Sequence, residues 1–409
     1  MQQSHMRPVP PLAALFKEKA MLGVATSLPE IEAIATDWEN IVQQSDELDL
    51  FVSPSWMMLW YQTVMSHRDQ PAVVWVKGPD GRLVGVLPLV RRRRYLGPVP
   101  VTLYESAGDA VVCGDHLGLV ASTRDFAYVY DQVRNWLLTQ VDSGALIRLV
   151  ALDEGGQFAT LMQHDVEKHK VRWRYIMPQI APRLKLPNSY DAFELLLNSR
   201  RRKLIRRNWR HIERDYGITL SCYTNDSASL ESVLAEWFEL HDSLWASRGQ
   251  HTALENVRLR QFLQQFCQEA AQRGWLRLYQ IRVNQQLVAG TIIFHWQDRA
   301  YYYQLAWDPA FADYGIGELI ITHSIRTAID EGLSLFDFLR GEEQYKFRLR
   351  AQPYALIGLE FACRGPAYWL LCAGRMRERI GQTVRRLKGT AKAKPQAGGD
   401  QLDENAASN

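Results

Sequence analysis

The feature that most constrains the fold is the order of patterns between Leu276 and Leu349. The runs LRLYQIRV and LVAGTIIFHW are joined by the polar turn NQQ, and a second turn leads into the aromatic run AYYYQLAWD. Runs of this kind separated by short polar turns predict an antiparallel meander of three strands. A loop with two glycines, a helix with a 3.6-residue apolar period that ends at Gly332, and the buried strand pattern LSLFDFLRG follow without a gap.

The glycine loop before this helix is a candidate anion site. The entrance to the helix is formed by Tyr314, Gly315, Ile316, Gly317 and Glu318. Unpaired backbone N–H groups at a helix N-terminus attract phosphate, and glycine lets a ligand approach the main chain. The alternative is a turn that only caps the helix, because a Gly-x-Gly pattern by itself is weak evidence.

The order strand, strand, strand, glycine loop, helix, strand resembles the acyl-CoA-binding half of the GNAT acyltransferases. The segment FDFLRGEEQYKFRL resembles the Asp-Phe-x-x-Gly-x-x-x-Tyr-Lys signature of the CelD-type (cellulose biosynthesis), FemAB-like branch of that superfamily. Ala312 departs from the pattern, since typical GNAT enzymes have Gln or Arg three residues before the first glycine. The resemblance implies an acetyl-CoA or acyl-CoA donor and an amine acceptor, such as an amino sugar or an amino-acid derivative, with a link to surface polysaccharide biosynthesis.

The same resemblance selects the candidate site residues. In a GNAT-like sheet the third strand of the meander and the strand of FDFLRG diverge, so that main-chain groups in the gap bind the donor. The motif marks Asp337, Gly341, Tyr345 and Lys346 as a group without assigning their roles. The predicted catalytic residues are Asp337, Glu342, Tyr345 and Lys346; the predicted donor-binding residues are Tyr303, Leu305, Tyr314, Gly315, Ile316 and Gly317; the predicted substrate-binding residues are Arg202, Arg206, Arg340 and Gly341.

The carboxylate of Asp337 has two interpretations. Asp337 shares a strand face with Leu335 and Leu339, which predicts that the side chain is at least partly buried and needs a cationic partner. Lys346 and Arg340 are the candidate partners. A structural ion pair is one interpretation, and the acceptor of the amine proton, either Asp337 or Glu342, is the other.

The first half of the chain repeats this order of patterns in degenerate form. A helical pattern from Pro29 and the aromatic segment FVSPSWMMLWYQTV precede the hairpin AVVWVK with RLVGVLPLV, the helix TRDFAYVYDQVRNWLLTQV and the buried strand ALIRLVAL. No glycine pair precedes that helix. We therefore predict an α/β fold of tandem GNAT-like units with mixed, mostly antiparallel sheets flanked by helices. The predicted domains are a flexible arm (1–28), a degenerate first unit (29–185), a second unit with the donor site (186–366) and a tail (367–409).

Two basic segments carry alternative functions. Arg91 to Arg94 end the first hairpin and are either a solvated strand end or a contact for phosphate or an anionic acceptor. In residues 199–217 six basic side chains lie beside or behind an apolar helical stripe, so they face water or line a cleft. This second segment raises a rival function, an aminoacyl-tRNA-dependent peptidyl transferase of the FemAB-like kind. A non-catalytic scaffold of a polysaccharide assembly is a third interpretation.

Composition and the tail bear on location. The net charge of +3 is too small to indicate a general nucleic-acid binder, and the five cysteines lack the spacing of a metal site, which predicts no metal and a reducing cytoplasm. No apolar run approaches the length of a membrane span, about 20 residues. The basic amphipathic pattern in residues 367–394 predicts either a final packing helix or peripheral contact with anionic lipid on the inner face of the membrane.

Overall fold

The computed structural model describes residues 21–109, 112–224 and 227–373. The strands are β1 (Met21–Ala25), β2 (Gln70–Pro71), β3 (Val73–Lys77), β4 (Leu83–Leu87), β5 (Leu89–Leu96), β6 (Val99–Ser106), β7 (Val120–Ala121), β8 (Leu146–Asp153), β9 (Arg172–Ile180), β10 (Arg183–Lys185), β11 (Ile218–Tyr223), β12 (Leu276–Val283), β13 (Gln286–Trp296), β14 (Arg299–Trp307), β15 (Leu335–Asp337) and β16 (Ala355–Ala362). The α-helices are α1 (Leu28–Gln43), α2 (Pro54–Leu59), α3 (Phe126–Asp142), α4 (Gln157–Lys168), α5 (Tyr190–Leu196), α6 (Ser199–Tyr216), α7 (Ser227–Ser247), α8 (Val257–Gln272), α9 (Ile316–Asp330) and α10 (Gln344–Arg348).

The first unit contains two sheets that separate at Pro88. Their strand orders are β1-β3-β4-β7 and β2-β5-β6-β8-β16-β9. Pro88 lies between β4 and β5, and it lacks the N–H group that would continue one ladder through both strands. The predicted arm, 1–28, is too long, because β1 pairs with β3 and α1 begins at Leu28. Residues 1–20 lie outside the described residues.

The second unit confirms the predicted order of elements. Strands β12, β13 and β14 form the antiparallel meander, and α9 then leads to β15, which pairs with β14 in parallel. The sheet has the order β10-β15-β14-β13-β12-β11. Two hydrophobic clusters cover its faces, one of them shared with the first unit. The α/β fold of two GNAT-like units with mostly antiparallel sheets is thus the observed fold.

The two units exchange strands. β16, from the end of the second half, lies between β8 and β9 of the first unit and is antiparallel to both. In return, β10 pairs with β15 of the second unit. The predicted domain boundary assigns β10 to the first unit. From its position after the second unit, the segment PYALIGLEFACRG is predicted to close the second sheet, and the structure shows that this prediction is wrong. Because β16 is buried on both faces, its pattern suits a central strand and does not indicate which sheet it joins.

An aromatic cluster between the two units joins them into one core. The ring of Trp56, on α2, lies 4.7 Å from that of Phe262 and 4.8 Å from that of Phe266, both on α8. Tyr303 on β14 is 5.9 Å away. Trp56 also donates a hydrogen bond from Nε1 to the carbonyl of Gly108 at 3.2 Å. The first unit is therefore fused to the second by packed side chains.

A row of alternating charges crosses the larger sheet of the first unit. Arg92 on β5, Glu105 on β6, Arg148 on β8, Glu360 on β16 and Arg174 on β9 form successive ion pairs. Opposite charges on neighbouring strands stabilise a sheet. The row ties the exchanged strand β16 to both of its neighbours.

Candidate active site

The second sheet opens between β14 and β15. These strands make three parallel pairs, from Arg299 with Leu335 to Tyr301 with Asp337, and no further pairs beyond them. Past this point the chain forms the loop that leads into α10. The hydroxyl of Tyr345 on α10 lies 3.2 Å from the hydroxyl of Tyr302 on β14. The predicted divergence of the two strands is thus observed, and Tyr345 lies at its start.

The N-terminus of α9 lies against the end of β14. Gly315 is the N-cap, with φ of 60°, a conformation that favours glycine. Its own N–H donates to the carbonyl of Ala312 at 2.8 Å, and the amides of Glu318 and Leu319 donate to the carbonyl of Gly315. Ile316 and Gly317 are the first residues of α9, and the first N–H groups of an α-helix have no acceptor within that helix. These two N–H groups are the available anion contacts.

Both glycines allow close packing. A Cβ added at Gly317 would lie 3.3 Å from Cδ1 of Trp307 and 3.5 Å from Cδ2 of Leu305, and one at Gly315 would lie 3.1 Å from Nδ2 of Asn208. Trp307 and Leu305 therefore cover the Gly317 side of the loop. The predicted contact of Leu305 with this region is compatible with that position.

Charged side chains surround the same helix end. Nη1 of Arg201, on α6, lies 2.9 Å from Oε2 of Glu318. Oε1 of Glu318 and Nε of Arg348 are both buried, and neither has a hydrogen-bond partner among the described residues. Burial raises the pKa of the Glu318 carboxyl, and the neighbouring Arg201 and Arg348 only partly offset this. The Glu318 carboxyl at this helix end therefore binds a proton more readily than an ordinary glutamate does.

The side chains of Tyr314 and Tyr303 point elsewhere. The hydroxyl of Tyr314 donates to Oδ2 of Asp215 at 3.0 Å, at the end of α6. The hydroxyl of Tyr303 donates to the carbonyl of Val112 at 2.7 Å, across the boundary between the units. Both side chains therefore make contacts within the protein, and the predicted side-chain contact of Tyr303 with the donor loses support.

Asp337 belongs to a buried ion network that we call the His116 network: Asp49, His116, Asp153, Arg183, Arg299 and Asp337. Oδ2 of Asp337 lies 2.6 Å from Nε of Arg183 and 3.1 Å from Nε2 of His116. The predicted partners Lys346 and Arg340 are therefore wrong. Arg183 lies on β10, directly opposite Asp337 in the sheet, and the exchanged strand supplies the cation.

His116 is the centre of this network. Its Nδ1 lies 2.5 Å from Oδ1 of Asp153, and its Nε2 faces Asp337. Burial alone lowers the pKa of His116, but the carboxylates of Asp49, Asp153 and Asp337 outweigh burial and raise the pKa well above its usual value. Burial also raises the pKa of Asp337, and there His116 and Arg183 prevail and lower it. The carboxylates of Asp153 and Asp337 therefore favour the imidazolium form of His116, although Nη2 of Arg183 also lies 2.8 Å from Nδ1 and 3.0 Å from Nε2 of the ring.

Lys346 organises the loop before α10. Its Nζ donates to the carbonyls of Leu339, Arg340 and Gly341 at 3.2 to 3.3 Å and pairs with Glu343 at 2.8 Å. The side chain is 3% exposed, so little of it can reach a ligand. This structural role differs from the catalytic role predicted for Lys346.

Gly341 and Arg340 are fixed by the backbone and by the first unit. Gly341 has φ of 126°, and an added Cβ would lie 2.5 Å from Oε2 of Glu343, so only glycine fits. The Arg340 guanidinium pairs with Asp115 and with Asp109, and it donates to the carbonyl of Gly114 at 2.7 Å. Arg340 therefore anchors the loop to the first unit, and its predicted substrate contact is not observed.

Of the remaining predicted residues, only Glu342 faces solvent without a described contact. Glu342 lies exposed between Gly341 and the start of α10. Arg202 donates to the carbonyl of Glu194 at 3.2 Å, and Arg206 pairs with the Glu194 carboxylate. Both arginines thus contact α5, which differs from their predicted role in binding substrate.

Sequence reasoning missed His116, Asp153, Arg183, Arg201 and Arg348. Cys113 to His116 had the composition of a turn, and Arg183 lies at a predicted domain boundary. A signal was present for Arg201, since Glu318 in the first turn of a helix needs a cation when it is buried. The other pairings depend on contacts between distant segments.

The His116 network predicts a loss of stability at alkaline pH. A histidine with a raised folded pKa contributes stability that is complete below its unfolded pKa, about 6.5, and that disappears as pH rises through the folded value. We expect the free energy of unfolding of the wild type to fall above neutral pH more steeply than that of His116→Gln. Urea titrations from pH 6 to pH 10 measure this difference. Parallel curves for the two proteins would contradict the prediction.

Part of the second unit is similar to a known protein family. Residues 199–347 match the family model described as an acetyltransferase (GNAT) domain. No curated protein sequence matches significantly. Within the described ranges, no helix combines the length and apolar character needed to cross a bilayer, and no group of three or more His, Cys, Asp or Glu could hold a metal ion.

Three solved structures are similar over most of the chain. FemX has a TM-score of 0.57 at 12% identity, covering 82% of this chain and 98% of that one. L-PGS from Bacillus licheniformis has a TM-score of 0.52 at 10% identity, covering 84% and 96%. The C-terminal domain of a putative lysylphosphatidylglycerol synthetase from Agrobacterium fabrum has a TM-score of 0.51 at 10% identity, covering 85% and 96%. At these identities the likeness concerns the fold alone. Residues 199–347 therefore match a GNAT acetyltransferase domain within a chain that folds as two GNAT-like units, and this match identifies the protein as an acyltransferase.

Proposed function

We propose that the protein transfers an acyl group, acetyl or longer, from a CoA thioester to an amine, and that the reaction takes place where β14 and β15 diverge. One observation carries the proposal: α9 begins at Ile316 and Gly317, and Gly317 packs against Leu305 and Trp307 of β14, in the part of that strand that no longer pairs with β15. A phosphate group bound there would receive two N–H donors and the favourable end of the helix dipole. Arg201 and Arg348 supply positive charge nearby.

The side chains around the opening suit acyl transfer. The reaction needs a proton acceptor for the attacking amine and a proton donor for the departing thiolate. Glu342 is an exposed carboxylate in the loop before α10, and it serves as the proton acceptor. Tyr345, beside Tyr302, donates to the thiolate. Asp337 is fully buried and engaged by Arg183 and His116, so we assign it a positioning role.

Calorimetry with three ligands tests the donor. We expect acetyl-CoA to bind at least about 10-fold more tightly than acetyl-pantetheine, because only acetyl-CoA has the diphosphate that the α9 amides would bind and each charge-assisted hydrogen bond contributes about 1.5–3 kcal/mol. Aminoacyl-tRNA should bind weakly. Equal affinities for acetyl-CoA and acetyl-pantetheine would remove the basis of the proposal.

A second candidate is transfer from aminoacyl-tRNA. The observation that favours it is the exposed basic side of α6, with Lys203, Arg207 and Arg210 turned to solvent. Phosphate contacts of this kind give binding that weakens steeply with salt. Filter binding of charged tRNA between 50 and 200 mM salt distinguishes the candidates, since a nanomolar, salt-sensitive complex would favour tRNA as the donor.

The finer assignments rest on the sequence motif. The CelD-type resemblance and a role in surface polysaccharide synthesis depend on the signature around Asp337 and Tyr345, and they support an amino sugar as the acceptor. Peripheral attachment through residues 367–394 also stays a prediction, since residues from 374 onward lie outside the described residues. Within the described part, residues 366–373 form a helix.

A further inference from the structure

The hairpin of β5 and β6 has an unusual surface. Of the four arginines on β5, only Arg92 pairs with acids, at 3.6 Å from Asp69 and 3.0 Å from Glu105. The other three, Arg91, Arg93 and Arg94, are exposed and have no acid within salt-bridge distance among the residues that the structure describes. Three cations without counter-charges therefore lie along one short strand.

Apolar side chains form the tip of the same hairpin. Tyr95 is 62% exposed and Val99 is 43% exposed. They flank the turn at Gly97 and Pro98, and no acidic residue occurs between Leu89 and Tyr104. An arginine stem with an aromatic and aliphatic tip is the arrangement by which a soluble domain contacts the interface of an anionic bilayer, with the tip in the headgroup layer and the cations on the phosphates.

The direction of the strands separates this tip from the active site. β6 runs from Val99 at the tip to Ser106, and the chain then enters the loop whose Asp109 and Asp115 hold Arg340. At about 3.3 Å per residue, the eight residues of β6 put the tip roughly 25 Å from that loop. A small anionic acceptor in the active site therefore cannot reach the tip of the hairpin, whereas Arg91, opposite Tyr104, lies nearer to the loop.

A second apolar group lies on the same hairpin. The helix over residues 366–373 packs Ala367 and Leu371 against Val101 and Leu103 of β6. This leaves Trp369 on its other side, 60% exposed. Tryptophan is favoured at membrane interfaces. The helix also leads into the basic sequence that begins at Arg375.

We propose that the β5–β6 hairpin, with Arg91, Arg93, Arg94, Tyr95 and Val99, docks the enzyme on an anionic lipid bilayer. RNA is the less suited partner, because the apolar tip would stay in water when phosphates bind the stem. When the hairpin is docked, the enzyme lies at the bilayer and acts on acceptors that are made at the membrane or attached to it. This location is independent of which donor the active site takes.

Vesicle sedimentation of the full-length protein tests the proposal. The wild type should sediment with vesicles of phosphatidylcholine and phosphatidylglycerol (70:30) and remain in solution with phosphatidylcholine alone. Reversing three charges in Arg91→Glu/Arg93→Glu/Arg94→Glu should lower the partition coefficient by about 100-fold or more, since each cation near an anionic surface contributes roughly fivefold. The tip variant Tyr95→Ser/Val99→Ser should also weaken binding while the net charge is unchanged.

A matched control lies at the opposite edge of the same sheet. Lys168→Glu/Lys170→Glu/Arg172→Glu makes the same change in net charge at exposed positions next to or on β9, and it should alter partitioning by less than about threefold. Equal losses in the two triple variants would reduce the effect to net charge and overturn the proposal. The proposal would also be overturned if the hairpin variants bound vesicles fully and deletion of residues 374–409 abolished binding. It would equally be overturned if the protein did not bind vesicles but bound tRNA through the hairpin. Circular dichroism establishes that each variant is folded.

Discussion

Replacing Asp337 by alanine is expected to lower the free energy of unfolding by about 3–5 kcal/mol, the range for removing one partner of a buried charge pair. Asp337 is fully buried, and it contacts the guanidinium of Arg183 and the imidazolium of His116. It also accepts the N–H of Leu339 at 2.8 Å. Without this carboxylate, the charges of Arg183 and His116 are balanced only by Asp49 and by Asp153, whose side chain is 33% exposed.

The measurement is a urea titration followed by circular dichroism. Asp131→Ala is the control, because Asp131 is 57% exposed and pairs with Arg134 on the surface of α3. That variant should lose less than about 1 kcal/mol. If both variants lose equally little, the His116 network does not hold the units together as described. A loss of activity in Asp337→Ala without a loss of stability would instead favour a direct catalytic role.

Replacing Arg201 by alanine is expected to weaken acetyl-CoA binding by about 10- to 100-fold. Arg201 is the closest cation to Glu318 in the first turn of α9. Its loss would leave the Glu318 carboxylate without its ion pair beside the two amides that we propose bind phosphate. Loss of one charged hydrogen-bonding group of this kind is worth about 1.5–3 kcal/mol. Calorimetry with acetyl-CoA measures the change.

The double variant shows whether Glu318 mediates this effect. Glu318→Gln alone should raise the affinity, and Arg201→Ala/Glu318→Gln should recover most of the affinity lost by Arg201→Ala. Affinity in the wild type should also rise as pH falls through the raised pKa of Glu318, because the neutral carboxyl no longer repels phosphate. Glu239→Gln, at an exposed position of α7, should change nothing. If none of the Glu318 variants differs from the wild type, the donor phosphates bind elsewhere.

Local patterns were sufficient to predict the second unit. The meander, the helix after Gly317 and the strand of Asp337 each have an apolar period that matches one element type, and short turns leave few ways to connect them. The burial of Asp337 could be predicted because it shares a strand face with Leu335 and Leu339. The positive φ at Gly315 and the need for glycine at Gly341 also agree with the two loops in which the sequence places these glycines.

The partners of these residues could not be predicted in the same way. Asp337 is paired by Arg183, which comes from an exchanged strand, and by His116, which comes from the other unit. Lys346 was the nearest cation in sequence, but it is turned toward three carbonyls of its own loop. Sequence proximity favours such local pairings, whereas the free energy of a buried ion pair depends on which distant segments the folded chain brings together.

The exchange of β16 also determines when the protein can acquire its structure during synthesis. β8 and β9 leave the ribosome early, yet the position between them stays vacant until residues 355–362 have been translated. Until then both strands expose edges that can pair with another nascent chain. Assistance by chaperones is thus most needed late in translation, and fragments that end before Ala355 should aggregate.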